Sequence, residues 1–458
     1  MTETINREHP EYVARRIMWR HYKDLYAGGE DLRRHAAEFL VRRHKEPYEV
    51  YMERLSRVFY ENYIGSIIDW YAATLMHRDP SVLVDGTDAA ARSFYGLLIN
   101  NCDLRGTSLA EFFRQRFRQM LVSGSSFVVV DFPRINGPAL TRAEEDASGR
   151  SRAYLADYGA DEVINWNRDE TGCLEWVVIR TSCLKQSKVT DEKWETQTRW
   201  IYYDRESFRI FRQSGENQPV ELIGEGRHGL AALSRVPVFE MKAPEGLWLM
   251  NKAALVQLEH FNKSNALSWA LTMGLFAMPV VYSDKKWEQM VGESYYIQLG
   301  SGDRFGWTEP EGKVYQLAAD NLQRLKDEIY RVCYLTIQAE NMAAGSARQS
   351  AASKQLDFAA TEEVLRAYGS LVRESIKQVL WAIAAARQDA VEIDVAGLDE
   401  FDINELGSEL DDARKLLDLG IGSETLKKEV FKRLALKYLS DARQELKNVV
   451  TGEIERSA

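Results

Sequence analysis

Cysteine, histidine, serine and the carboxylates are the side chains with which this chain could do chemistry, and their spacings commit it to none. Four cysteines, Cys102, Cys173, Cys183 and Cys333, supply soft ligands or disulfide partners. No CxxC pair occurs, and the intervals match no zinc pattern. Cys173 and Cys183 fall in strand-like text that can bring them near one another, but with no secretory context reduced thiols are expected. The seven histidines are scattered, and no HExxH sets two imidazoles on one helix face around a metal. Ser123-Gly124-Ser125-Ser126 lacks the second glycine of a nucleophile elbow. No GxxxxGKS/T is present, and no GxGxxG runs from a strand into a helix. Gly300-Ser301-Gly302 is too short to cradle a phosphate and reads as a loop. Among 69 Asp and Glu residues no pair is marked by spacing for acid–base work. Triads need not be local in sequence, yet a chain this long without legible reacting groups reads as a protein that is not an enzyme, with no cofactor implied.

The elements that would position any site come from 458 residues, enough for two to four units at about 100–200 residues each. At 45% hydrophobic residues the chain can bury a sizeable core. The formal net charge of −10 argues against a protein that grips nucleic-acid phosphates over a broad surface. It is compatible with a surface past which phosphates slide, because a negative wall repels them. Met1 to Arg20 contains no apolar signal core. The longest apolar run, Leu267 to Tyr282, is broken by Ser268, Thr272, Gly274 and Pro279. It falls short of the roughly 20 residues that span a bilayer. A soluble chain, cytoplasmic at synthesis and without a membrane partner, is expected.

Read in order, Tyr48 to His77 has apolar residues at helical spacing (Leu55, Val58, Phe59, Ile64, Ile67, Ile68) and ends before Asp79-Pro80. Thr107 or Ser108 caps a helix running to about Val122, with Glu111 as capping-box partner, and Gly124 ends it. Phe127 to Phe132 reads as a buried strand, and Arg134 to Tyr158 as a surface loop. Short strands follow at Glu175–Thr181, Thr198–Asp204, Phe208–Gln213, Val220–Ile223 and Val236–Glu240. Leu249 to about Leu275 is a long helix. A Gly-rich mixed stretch with strand-like Tyr295–Leu299 comes next, and a helix resumes at Asn321 with Leu322, Leu325, Ile329 and Val332 as its apolar stripe. Ala339 to Gln349 is small and polar. Ser350 to Arg387 is a third long helix, about 55 Å if straight, with Gly369 as a candidate kink. Val391–Val395 is a short strand. Glu405–Leu419 and Glu424–Val450 read as helices, the second capped by Ser423.

This order resembles that of tailed-bacteriophage portal proteins, and several strings resemble them locally. Tyr51-Met52-Glu53-Arg54-Leu55 with Asn62, Ile67-Ile68-Asp69 and Arg78-Asp79-Pro80 is similar to the family's N-terminal wing helix. Ile164-Asn165-Trp166 resembles a wing strand. Val236-Pro237-Val238, followed by Leu258, Phe261-Asn262 and Ser264, resembles the approach to the first stem helix. Ala318-Ala319 through Leu325, Glu328 and Ile329, then the small polar stretch and Ser350 onward, resembles the second stem helix and tunnel loop. The likeness covers about Tyr48 to Arg387 and rests on the ordered set. It implies an α+β portal fold: a mixed wing (1–245), stem helix 1 (246–275), a small α/β clip (276–317), stem helix 2 (318–338), a tunnel loop (339–349), a long kinked helix returning to the wing (350–404) and a short helical crown (405–458).

The resemblance also implies function. It gives a dodecameric head-to-tail connector of about twelve copies, at one capsid vertex, through which double-stranded DNA is packaged, retained and ejected. The implied partners are other copies of the chain, the terminase large subunit, the major capsid protein and scaffold, and a head–tail adaptor. The location would be the virion after assembly in the host cytoplasm. Twelve copies at −10 each would carry about −120, screened over about 8 Å at physiological ionic strength. Glu259, Asp320, Asp327 and Glu328 are candidate acidic channel residues, each alternatively an intersubunit salt bridge or a solvated face. Glu340, Asn341, Arg348 and Gln349 belong to the implied tunnel loop, and Arg348 and Lys354 are candidates for transient phosphate contact. Trp287, Tyr295, Tyr296 and Trp307 are candidate partner anchors in the clip. Arg15, Arg16, Arg20, Arg33, Arg34, Arg42, Arg43 and Lys45 make the N-terminal region positive, either as a helical surface or as a contact with a neighbouring subunit or capsid. The alternatives are a virion scaffold or adaptor that threads no DNA, and an enzyme with few motifs.

Overall fold

Side-chain chemistry at the element ends explains many of the boundaries. The computed structural model describes residues 4–86, 89–133, 152–186, 194–215, 218–274, 278–282, 302, 304–308, 312–335, 351–399, 414–415, 423–439 and 444–456. The fold is α+β. Along the chain come α1 (Pro10–Ala27), α2 (Gly29–Arg34), α3 (Ala36–Phe39), α4 (Tyr48–Ser56), α5 (Tyr63–Leu75), β1 (Ser81–Asp85), α6 (Ala89–Asn100), α7 (Leu109–Ser123), β2 (Ser125–Asp131), β3 (Tyr154–Gly159), β4 (Val163–Arg168), β5 (Leu174–Lys185), β6 (Glu195–Asp204), β7 (Ser207–Ser214), β8 (Glu221–Arg227) and β9 (Val238–Lys242). They are followed by α8 (Leu249–Gly274), β10 (Met278–Tyr282), β11 (Arg304–Thr308), α9 (Gly312–Val332), α10 (Ala351–Arg387), β12 (Glu392–Ala396), α11 (Glu424–Tyr438) and α12 (Gln444–Arg456). The chain divides into two compact units, one from 1–23, 67–251 and 349–458, the other from 24–66 and 252–348.

In the first unit, β2 lies between β3 and β9, all antiparallel, and β4 to β8 form an antiparallel meander in sequence order. β1 pairs with β12. Val129, Ile164, Val177, Ile179, Trp200 and Ile210 share one core with Ile5, Tyr12 and Trp19 of the N-terminal segment. That segment lies along β4: the amide of His9 donates to the Ile164 carbonyl at 2.8 Å, and the His9 ring stacks on Trp166 at 4.1 Å. The Asn6 side-chain oxygen accepts from Trp200 Nε1 at 3.1 Å and from Arg180 at 2.8 Å. α7 starts as its sequence indicates, with Ser108 Oγ accepting from the Glu111 amide at 3.2 Å. The Glu111 carboxylate instead accepts from Arg114 and Gln115. Gly124 ends α7 at φ 84°, the left-handed conformation glycine adopts freely. Two indoles take the last carbonyls: Trp19 donates to Ser123 at 2.9 Å and Trp248 to Val122 at 3.0 Å.

The structure corrects several expectations in this unit. Residues 154–158 form most of β3 rather than loop, and only 134–151 of that stretch lies outside the described residues. α10 runs unbroken through Gly369. The missing side chain there is filled by the chain crossing the helix, since a Cβ would stand 1.7 Å from the Leu398 carbonyl oxygen. Glycine serves close approach rather than a kink. Tyr368 beside it donates to the Leu247 carbonyl at 2.5 Å and meets Tyr71 and Phe117 edge-on. Glu424–Val450 is two helices, α11 and α12, the first capped by Ser423. Cys173 and Cys183 are both exposed and free. They sit just before and near the end of the same strand, β5, and ten residues of extended chain keep them apart. Glu405–Leu419 lies outside the described residues except 414–415.

The expected helix from Tyr48 to His77 is broken into α4, in the second unit, and α5, which begins in the second unit and continues in the first. Asn62 starts α5: its Oδ1 accepts from the Gly65 amide at 2.9 Å while its Nδ2 donates to the Tyr26 carbonyl at 2.8 Å. Gly65 leaves room for this, because a Cβ would stand 2.6 Å from the Asn62 amide group. α4 is held by a buried pair, Arg54 to Glu46 at 2.8 Å, with both side chains 4% exposed. α9 begins at Gly312, earlier than the expected Asn321. Among the described residues no helix is long and apolar enough to cross a membrane.

Candidate functional site

The second unit is organised around two long helices joined through a β-hairpin. β10 and β11 pair antiparallel, Met278 opposite Thr308 and Tyr282 opposite Arg304. Lys252, at the start of α8, donates to the Tyr334 hydroxyl just past the end of α9 at 2.5 Å. At the other end the Tyr315 hydroxyl donates to the Ala270 carbonyl at 3.3 Å. These contacts lie 18 residues apart on α8 and 19 apart on the α9 side, so the helices run antiparallel at nearly equal rise.

The inner face of α8 is polar for a physical reason. Gln257, Asn262 and Asn265 each use a side-chain amide as a substitute peptide group, donor and acceptor together. Gln257 donates to the Glu61 carbonyl at 2.8 Å and accepts from the Ile64 amide at 3.3 Å. Asn262 donates to Phe39 at 3.0 Å and accepts from Val41 at 2.9 Å. Asn265 donates to Phe59 at 2.9 Å and accepts from the same residue's amide at 3.1 Å. The three amides thus bind segments that would otherwise bury unpaired backbone. His260 lies among them, 2% exposed, with Nε2 3.3 Å from a Glu61 carboxylate oxygen and its ring edge-on to Tyr63 at 5.1 Å. Burial holds its pKa below the ordinary value of 6.5; Glu61 pulls it up and Lys326 pushes it further down. Sequence reading named Asn262 only within a family-like string and missed Gln257 and Asn265. The available signal was amides at helical spacing on an otherwise apolar face.

The outward faces carry the sequence candidates. On α9, Asp320 accepts from Gln316 at 2.8 Å and Asp327 from Gln323 at 2.8 Å. Seven residues apart, the two carboxylates share one exposed face. Glu328 is different: Arg331 holds it through two bonds of 2.7 and 2.6 Å, and the same contact lowers its pKa below the usual carboxylate value. Glu328 is therefore an ion-pair member within its own helix. Glu259 on α8 is exposed, 3.5 Å from Lys263. Lys354 lies on α10. Glu340, Asn341, Arg348, Gln349, Trp287, Tyr295 and Tyr296 lie outside the described residues, and Trp307 stands opposite Pro279 in the hairpin. The N-terminal basic residues are in part locally neutralised, Arg16 by Glu8 at 2.8 Å, Arg33 by Glu30 and Arg34 by Asp31 at 3.4 Å each.

The first unit contains a cavity of about 480 Å³ beside β1 and β12. Its cationic groups include Arg373, 3.5 Å from Asp399, and Lys432, 3.7 Å from Glu429. Among the described residues no three His, Cys, Asp or Glu side chains are grouped to hold a metal.

No family model matches the sequence, and no curated protein matches it. Among solved structures, the chain is similar to one in the neck of an empty gene transfer agent (GTA) particle computed with C6 symmetry. That match has a TM-score of 0.45 and 13% identity, over 79% of this chain and 87% of that one. A chain in the virion of a native gene transfer agent particle superposes with TM-score 0.41 and 13% identity, over 85% and 93%. One in the neck of the native particle computed with C12 symmetry gives 0.38 and 13%, over 81% and 89%.

Proposed function

We propose that this chain is a structural protein of a phage-like virion and, more specifically, a portal subunit. About twelve copies would surround a channel at one capsid vertex, through which double-stranded DNA is packaged, retained and released. The observation that carries this reading is the antiparallel pair α8 and α9, closed at one end by the β10–β11 hairpin and followed in the chain by the 37-residue α10. Long paired helices of this kind suit the wall of a channel, and the hairpin suits a projection outside the shell. The terminase large subunit and later the head–tail adaptor would dock on the hairpin, with Trp307 and, in the same stretch of sequence, Trp287, Tyr295 and Tyr296 as anchors. The major capsid protein and scaffold would meet the other unit.

In this reading the chain does no catalysis, and ATP hydrolysis belongs to the docked motor. Asp327, with Gln323 beside it, faces the passing duplex, where a fixed negative charge keeps phosphates from settling into any one register. Arg348 and Lys354, following the second stem helix in sequence, make the brief opposite-sign contacts that retain packaged DNA. Native mass spectrometry with negative-stain class averages tests the reading directly. Rings near twelve copies with a central hole are expected, and a stable dimer without a hole removes it.

A further inference from the structure

Two exposed stripes on the helical hairpin match each other in charge order. On α8, Leu255, Glu259 and Lys263 follow at four-residue intervals, one line along the helix. Leu255 is 78% exposed, the most exposed of the large apolar side chains in the described residues. On α9, Leu317, Asp320 and Arg324 stand exposed on a line beside the Gln316–Gln323–Asp327 side. Among the described residues Lys263 meets Glu259 in an exposed i,i+4 contact at 3.5 Å, and Arg324 bonds Asn321 at 3.1 Å and acts on Glu328 through its charge. Such contacts are worth little and are readily exchanged.

The two end contacts fix the height of each residue along the hairpin. Lys252 is level with Tyr334 and Ala270 with Tyr315, so Glu259 is level with about Lys326 and Lys263 with about Leu322. One common offset of two residues, about 3 Å, sets Glu259 against Arg324 and Lys263 against Asp320. Both opposite-charge pairs form at the same offset. Shifting the same distance the other way opposes Glu259 to Glu328 and Lys263 to Arg324, like charges in both cases. The surface therefore has a preferred register against a second α9 stripe.

We propose that the Leu255–Glu259–Lys263 stripe of α8 docks against the Leu317–Asp320–Arg324 stripe of α9 in a second copy of this chain. The inference rests on the portal reading, which supplies a rotation axis along the hairpin, so that heights are preserved between copies to within the offset of about 3 Å that the long Lys263 and Arg324 side chains reach across. The contact is heterologous: each copy offers α8 to one neighbour and α9 to the other, which closes a ring instead of a dimer. It moves Glu259 and Asp320 from the channel wall to the seam between subunits and leaves Asp327, at the Gln323 edge of the same face, toward the channel.

Charge reversal tests this on the full chain. Lys263→Glu sets a carboxylate against Asp320 of the next copy, and Asp320→Lys sets an ammonium against Lys263. Each variant alone should need a protein concentration about tenfold or more above wild type to form rings in native mass spectra. Thermal melting should be unchanged, since both side chains are exposed. Mixing the two variants should restore the wild-type concentration dependence, because copies alternating around the ring satisfy every seam. Single variants that assemble like wild type overturn the seam and leave the ring reading intact. A wild-type chain that stays monomeric at every concentration, or stops at a dimer, ends the ring reading and the seam with it.

Discussion

Replacing Asn265 by Ala removes one of the three side-chain amides with which α8 binds the backbone of residues 39–64. Two bonds to Phe59 are lost, the donor contact to its carbonyl at 2.9 Å and the acceptor contact from its amide at 3.1 Å. Asn265 also bonds the Phe261 carbonyl at 2.8 Å, which lies four residues earlier on the same helix. The cost therefore falls on Phe59. A buried group left unpaired costs about 1–3 kcal/mol. The Phe59 residue is 38% exposed, so water reaches part of it and the lower end applies. Two groups at the lower end give about 2 kcal/mol. Chemical denaturation followed by the fluorescence of Trp269, on the next turn of α8, should report a loss of that size. Amide exchange offers a sharper readout: the Phe59 amide should exchange about 30-fold faster, since about 1.4 kcal/mol corresponds to tenfold. Asn265→Asp keeps the acceptor and aims a carboxylate at the Phe59 carbonyl. A loss below about 0.5 kcal/mol for Asn265→Ala, the range of ordinary surface changes, with unchanged Phe59 exchange, would refute the assignment of the amide as a backbone substitute.

Two glycines in helices should respond in opposite directions. Gly369→Ala places a methyl 1.7 Å from the Leu398 carbonyl oxygen and should destabilise the first unit by about 2–4 kcal/mol in thermal or denaturant unfolding. Gly96→Ala, within α6 and with nothing within 4 Å of its added Cβ, should stabilise it by about 0.5–1 kcal/mol. Equal effects would remove the close-approach account. The His260 pKa is depressed by burial, so below 6.5 the unfolded chain takes up the proton first and stability falls as pH drops from 6.5 toward the folded-state value. His228, also buried, acts in the same sense. The slope of melting temperature against pH between about 5 and 6.5 should shrink in His260→Gln and shrink again with His228→Gln added. An unchanged slope in the double variant would show that these imidazoles do not control it.

What the sequence displays is what neighbours in the chain decide. The Ser108 cap, the Gly124 stop, the ends of α8 and the central strands β5, β6 and β7 depend on local spacing, and they are found close to where expected. The failures share one cause. Residues 57–62 have helical periodicity, but Gln257 and Asn265, roughly 200 positions away, offer their backbone better partners than a helix would. Gly369 looks like a kink until Leu398 is seen against it. β3 is polar enough to read as loop, and its pairing with β2 fixes it. In the candidate site, spacing located Asp320 and Asp327 but gave no means of separating them from Glu328, whose difference is a bidentate Arg331 three residues on.

That difference carries the functional argument further. A carboxylate paired within its own helix presents little net field to a phosphate passing a Debye length away. One held by a neutral glutamine amide is not neutralised by that contact and loses its freedom to swing. Gln316–Asp320 and Gln323–Asp327 repeat this device seven residues apart. If the first carboxylate is taken up by a seam with Lys263 of the next copy, the second remains as a ring of fixed charges, one per subunit at a single height. Such a ring repels DNA equally at every rotation, which is what passage without registration requires. Asp320 then answers to the assembly assay and Asp327 to DNA passage, so Asp327→Asn should leave ring formation untouched where Asp320→Lys weakens it. A ring that fails to form in Asp327→Asn would place both carboxylates in the seam and leave the channel wall without its charge.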